Sequence, residues 1–111
     1  LWASWCSPCR QELPAFQNYA DRAKGSLRVV GVVTRDHHDS AQSFIDEEKL
    51  TFPMLEDPDQ RLLTAVARNA LPVTLFLTAD GRIARLYNAT ALDEPSIESM
   101  AERYLGVVVP R

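Results

Sequence analysis

The sequence has no run of basic residues, no long apolar stretch, no repeat or low-complexity tract, and only two cysteines among its 111 residues. Each of these absences excludes something. Acids and bases are interspersed and the formal net charge is −3, so no positive patch exists of the kind that tracks a nucleic-acid backbone. The longest apolar runs, around Val29–Val33 and Val107–Val109, fall far short of the ~20 residues that a membrane-spanning helix needs. No linker divides the chain. With 46% hydrophobic and 24% charged residues, it reads as one domain, residues 1–111, able to bury a core without a disulfide scaffold. It begins with Leu, and "LWAS" reads as the tail of a strand, so an upstream part of the domain is expected. Any signal peptide or membrane anchor would lie in that part.

Both cysteines stand in the first fourteen residues, "LWASWCSPCRQELP", with two residues between them. Downstream, Leu13, Phe16, Ala20 and Ala23 recur at helical spacing and predict a helix that ends near Gly25, kinked where Pro14 cannot donate to the carbonyl of Arg10. The β-branched run Leu27–Thr34 predicts a central strand buried on both faces. Ser40 is placed to cap a second helix with Ala41, Phe44 and Ile45 on one face, and "TFPML" a short extended segment. Asp57 is placed to cap a third, with Pro58 in its first turn and Leu62, Leu63, Val66 and Ala67 turned inward. "PVTLFLT" and "RIARLY" flank Asp80-Gly81, a hairpin turn signal. A last helix runs from Asp93 as cap to Gly106 as terminator, with Ile97, Met100, Ala101, Tyr104 and Leu105 on one stripe. A parallel βαβ unit followed by ββα is an α/β arrangement, a mixed sheet with helices on both faces. The thioredoxin fold is built this way, here with its first strand truncated.

A C-x-x-C pair where a strand of a βαβ unit meets a helix reads as a redox motif. A sulfur at the helix start faces unpaired N–H groups and the positive end of the helix dipole, which favour thiolate. Cys6 is therefore the expected nucleophile, and Cys9, one turn on, the thiol that resolves the mixed disulfide. Other readings of the pair fare worse. A purely structural disulfide across so short a loop removes little unfolded-state entropy. Structural zinc needs four ligands, whereas no further cysteine exists and His37-His38 read as loop residues. Covalent haem attachment requires His after the second cysteine, where Arg10 stands. No metal and no cofactor beyond the Cys6–Cys9 redox pair is expected.

"WASWCSPCRQELP" resembles the thioredoxin-like proteins of the TlpA/ResA type, extracytoplasmic thiol-disulfide oxidoreductases of bacteria, and the similarity runs through almost the whole chain. "NALPVTLFLTADGRI" resembles the segment in which a cis-proline precedes the hairpin, which makes Leu71-Pro72 the cis bond, lying against the sulfurs. "FPMLEDPDQRLLTAVA" resembles the family's insertion before that proline. The resemblance implies disulfide reduction outside the cytoplasm, often in cytochrome c maturation, by an exported or membrane-tethered domain. It also implies protein thiol or disulfide substrates and an upstream thiol-disulfide electron donor. A monomer is expected. Pro8 between the cysteines is typical of reducing members, against a range of potentials from roughly −270 mV in thioredoxins to about −120 mV in a strong oxidant.

The resemblance places a functional acid at Glu12, whose raised pKa would let it exchange protons with a thiol near neutral pH. An ordinary exposed helix glutamate is the alternative. Substrate contact is assigned to Trp5, Ser7, Pro8, Leu71 and Pro72. Trp5 is equally well explained by packing, Trp2 belongs to the core, and Arg10 either favours thiolate or is simply solvated. The position before Leu1, where cytoplasmic thioredoxins keep a buried acid, lies outside the chain, and Tyr87–Pro95 lacks the glycine expected after the last strand. Asn88-Ala89-Thr90 matches a glycosylation acceptor and is read as chance. Two other functions remain open: a thioredoxin-fold binding or chaperone domain whose cysteines tether a partner or metal, and a peroxide reductase. The Thr-x-x-Cys arrangement of the latter is absent.

Overall fold

A computed structural model of the chain describes residues 1–110. In chain order the elements are α1 (Ser7–Arg22), β1 (Gly31–Thr34), α2 (His38–Glu48), β2 (Met54–Asp57), α3 (Arg61–Ala65), β3 (Thr74–Leu77), β4 (Ile83–Tyr87) and α4 (Glu94–Leu105). β1 pairs in parallel with β2, Gly31 opposite Met54. β3 and β4 form the antiparallel hairpin, Thr74 opposite Tyr87. Residues 1–3 join the two pairs. Trp2 bridges Val33 in parallel, while Leu1 and Val73 exchange both backbone hydrogen bonds, at 2.8 and 3.2 Å. The strand order is thus β2, β1, residues 1–3, β3, β4, and the cysteines follow directly from the central position.

Helix α1 starts at the motif because Cys6 acts as its N-cap and Pro8, in the first turn, has no N–H to leave unpaired. Its inward residues serve two clusters. Cys9 and Leu13 pack with Trp2, Ala3, Val33, Ala41 and Phe44, whereas Tyr19 and Ala23 pack with Leu92, Ile97 and Ala101. The Arg22 guanidinium also reaches Glu94 of α4 at 2.7 Å. The carboxylate of Asp93 accepts from Ser96 N–H at 2.9 Å, and Gly106, at φ 67°, ends α4 in the left-handed conformation that glycine adopts without strain. At the hairpin, Thr78 donates to the Arg82 carbonyl at 2.8 Å with Gly81 at φ 85°.

Several local expectations are corrected. The strand expected over Leu27–Thr34 is confined to Gly31–Thr34. Residues 27–30 have no ladder partner, and Val30 is 42% exposed. "TFPML" leads into a true strand, β2, parallel to β1. Helix α2 begins at His38, with His37 as its cap and Ser40 already inside it. His38 is therefore the first helical residue and not a loop residue, while His37 stays outside the helix in extended conformation; His38 Nδ1 lies 2.6 Å from Glu56 on β2. Asp57 is not the cap residue of α3 but the last residue of β2. From there its carboxylate accepts from the N–H groups of Leu62 and Leu63 and from the Thr34 hydroxyl, at 3.1–3.3 Å. Pro58 stays outside that helix, which has five residues and buries Leu63 alone, while Ala67 is exposed at φ 55°.

Candidate active site

Cys6 and Cys9 form a disulfide, with their Cα atoms 5.2 Å apart. Cys6 Sγ accepts a hydrogen bond from Cys9 N–H at 3.2 Å, and the Cys6 carbonyl accepts from Arg10 N–H at 3.0 Å. One sulfur thus occupies the N-terminal donor site of α1, where backbone N–H groups favour negative charge. Cys6 is 5% exposed and Cys9 fully buried. Ser7 and Pro8, between them, are exposed on the first turn.

Trp5 is 58% exposed. Its indole Nε1–H donates to the Arg35 carbonyl at 2.7 Å, and the Arg35 guanidinium lies 5.8 Å from its ring centre. Trp5 is therefore a fixed surface ring beside Cys6, while Trp2 is buried, as expected. Arg10 does not stand free in solvent: its Nη1 donates to the Ser4 carbonyl at 3.2 Å, and its guanidinium lies 4.5 Å from the centre of the Phe44 ring. Asp36 holds the same turn from the other side, accepting from Ser4 N–H at 2.7 Å.

The Leu71-Pro72 bond is cis. Pro72 is buried, and Leu71 packs against the cluster that contains both cysteines. The loop holding them is tied by two side chains, Arg35 and Asn88, for which the sequence suggested no such role. Arg35 Nη1 donates to the Asn69 carbonyl at 2.6 Å. Asn88 Nδ2 donates to the carbonyls of Ala70 and Pro72 at 3.1 and 2.8 Å. Backbone carbonyls have no sequence signature, so only the hairpin register could have pointed to Asn88: Thr74 faces Tyr87, which sets Asn88 beside Val73. Both N–H groups of the Asn88 amide are engaged in these contacts.

Glu12 is 4% exposed. Its Oε1 accepts from Leu92 N–H at 3.1 Å. Burial pushes its pKa up to about 7, against the opposing pull of that hydrogen bond. The exposed-glutamate alternative is overturned. Helical spacing sets Glu12 one turn beyond Cys9. Among the described residues, no group of three or more His, Cys, Asp or Glu side chains is gathered to hold a metal ion, and no helix is long and apolar enough to cross a membrane.

Known proteins agree with this geometry. The AhpC/TSA family matches residues 1–86. The chain is 26% identical over 111 residues to the thiol-disulfide oxidoreductase ResA of Bacillus subtilis, covering 99% of this chain and 59% of that protein. It is 32% identical over 89 residues to the sporulation thiol-disulfide oxidoreductase A of the same organism, covering 77% of this chain and 54% of that protein. The chain thus spans a little over half the length of these relatives. Among solved structures, a secreted Mycobacterium tuberculosis disulfide oxidoreductase homologous to E. coli DsbE superposes with a TM-score of 0.81 at 26% identity, covering 92% of this chain and 76% of that one. The fold is that of thioredoxin, and the chain belongs to the AhpC/TSA family of thioredoxin-like proteins.

Proposed function

We propose that this chain is the redox domain of an extracytoplasmic thiol-disulfide oxidoreductase that reduces protein disulfides through Cys6 and Cys9. One observation carries the reading: the disulfide sits on the first turn of α1 with Cys6 Sγ as hydrogen-bond acceptor from the backbone N–H of Cys9. In the reduced protein the Cys6 thiolate attacks one sulfur of a substrate disulfide. A Cys6–substrate bond forms, the substrate S–S bond breaks, and the second substrate sulfur leaves as thiolate and takes up a proton. The Cys9 thiol then loses its proton and attacks the Cys6 sulfur. This closes the Cys6–Cys9 bond and releases the first substrate sulfur. Two electrons pass from the cysteine pair to the substrate. A dithiol donor restores the pair by the reverse exchange, so the sulfurs themselves carry the electrons and no further cofactor is required.

Glu12 supports the second step as the group that takes the Cys9 proton. A carboxyl with its pKa near 7 is ionised in part at neutral pH and returns the proton readily. Trp5, Ser7 and Pro8, which are exposed, and the half-buried Leu71 form the contact surface for the substrate, with the buried Pro72 shaping the loop behind Leu71. Pro8 supports the reducing direction, and the secreted relative supports an extracytoplasmic site of action. Reduction of insulin disulfides with excess dithiol tests the reading. Many turnovers per molecule, lost in Cys6→Ser, are expected. Capture of one substrate per molecule without turnover would instead make this a tethering domain.

A further inference from the structure

The loop 69–72 has most of its carbonyls occupied by side chains. Arg35 holds that of Asn69, and Asn88 holds those of Ala70 and Pro72. Leu71 alone differs: neither its N–H nor its C=O has a hydrogen-bond partner among the described residues. Its side chain meanwhile packs against the cluster that holds Cys6 and Cys9. A residue whose N–H and C=O are both unpaired, flanked by carbonyls that are clamped, is a strand edge of one residue.

We propose that Asn88 is the positioning residue for substrate docking: by holding the Ala70 and Pro72 carbonyls it keeps the Leu71 peptide groups presented as the loop's pairing edge. The proposal rests on the oxidoreductase reading and adds a determinant of substrate affinity to it. Arg35 secures the other end of the loop and, through its own carbonyl, the Trp5 indole. Arg35 therefore links the loop to the turn that carries Cys6. Asn88 itself is half-buried at the end of β4, on the hairpin, so its effect passes through the loop and not through the sulfurs.

The test compares parent, Asn88→Ala and Asn88→Asp in the reduction of insulin, alongside alkylation of reduced Cys6 by iodoacetamide across pH. Loss of two hydrogen bonds to the loop is expected to raise KM for insulin roughly tenfold. The change in kcat should be small, and the Cys6 alkylation profile should overlay that of the parent. Asn88→Asp keeps the shape of the side chain, but its ionised carboxylate donates to neither carbonyl, so KM should rise there as well. An unchanged KM in either variant overturns the proposal, as does a fall in Cys6 alkylation that matches the fall in kcat/KM. If the parent itself shows no turnover, the oxidoreductase reading fails and the clamp is read by amide hydrogen exchange. Faster exchange at Val73 in Asn88→Ala supports it, and an unchanged rate overturns it.

Discussion

The Glu12 carboxylate accepts a hydrogen bond from the backbone N–H of Leu92, eighty residues further along the chain. This contact fastens α1 to the approach of α4 and holds an acid inside the protein, one turn from Cys9. The group is kept near neutrality between protonated and ionised forms, although its ordinary pKa is 4.5.

The stability consequence has a definite sign. Below pH 4.5 Glu12 is protonated whether the chain is folded or not. As pH rises, the unfolded chain ionises first, while the folded one keeps its proton up to about pH 7. The parent should therefore lose stability relative to Glu12→Gln between these values, by up to roughly 3 kcal/mol. Denaturant unfolding of both proteins at several pH values measures the difference. Curves that stay parallel from pH 4 to 8 would show that Glu12 titrates normally.

The same substitution should slow disulfide exchange near neutral pH without loss of fold. The parent's pH-rate profile is expected to carry an inflection near pH 7, and that of Glu12→Gln to lack it. Overlaid profiles would remove Glu12 from the mechanism.

Asp57 predicts a structural effect away from the site. Burial pushes its pKa up, but hydrogen bonds from Leu62 N–H, Leu63 N–H and the Thr34 hydroxyl more than offset this, and the net shift is downward. Its contribution is present above its ordinary pKa of 3.8 and is lost as pH falls through the lower folded value. Asp57→Ala leaves those donors unpaired, at a cost of about 1–3 kcal/mol. Thermal melting at pH 7 and at pH 2.5 should show the gap between variant and parent closing in acid. A gap of equal size at both pH values would contradict the assignment.

Much of the site was legible because its chemistry rests on local sequence. The C-x-x-C spacing and the helix that follows it carry their own signal, whereas the cis-proline at Leu71-Pro72 and the acid at Glu12 were legible only through the resemblance to TlpA/ResA-type proteins. Misreadings arose where tertiary pairing decides. The apolar run over residues 27–34 looks uniformly strand-like, yet only the part with backbone partners, Gly31–Thr34, is a strand. Asp57 has the composition of a helix cap and serves α3 from a strand end instead, because its side chain reaches across the turn. Asn88 and Arg35 act on backbone carbonyls, which every residue possesses, so no pattern announces them.

The reactivity of the two sulfurs should differ. Cys6, at 5% exposure, lies at the helix start, while Cys9 is fully enclosed by the core. Brief treatment of the reduced protein with iodoacetamide should label Cys6 first, as read by peptide mass. Preferential labelling of Cys9 would reverse the roles.

The most direct measurement traps the intermediate. Reduced Cys9→Ser, which retains the attacking thiol and lacks the resolving one, is mixed with insulin, and the covalent products are identified by mass spectrometry. A mixed disulfide between Cys6 and an insulin cysteine is predicted, with none in Cys6→Ser under the same conditions. An adduct on Cys9 in Cys6→Ser, or no adduct in Cys9→Ser, would contradict the claim that Cys6 opens the substrate disulfide and Cys9 resolves it.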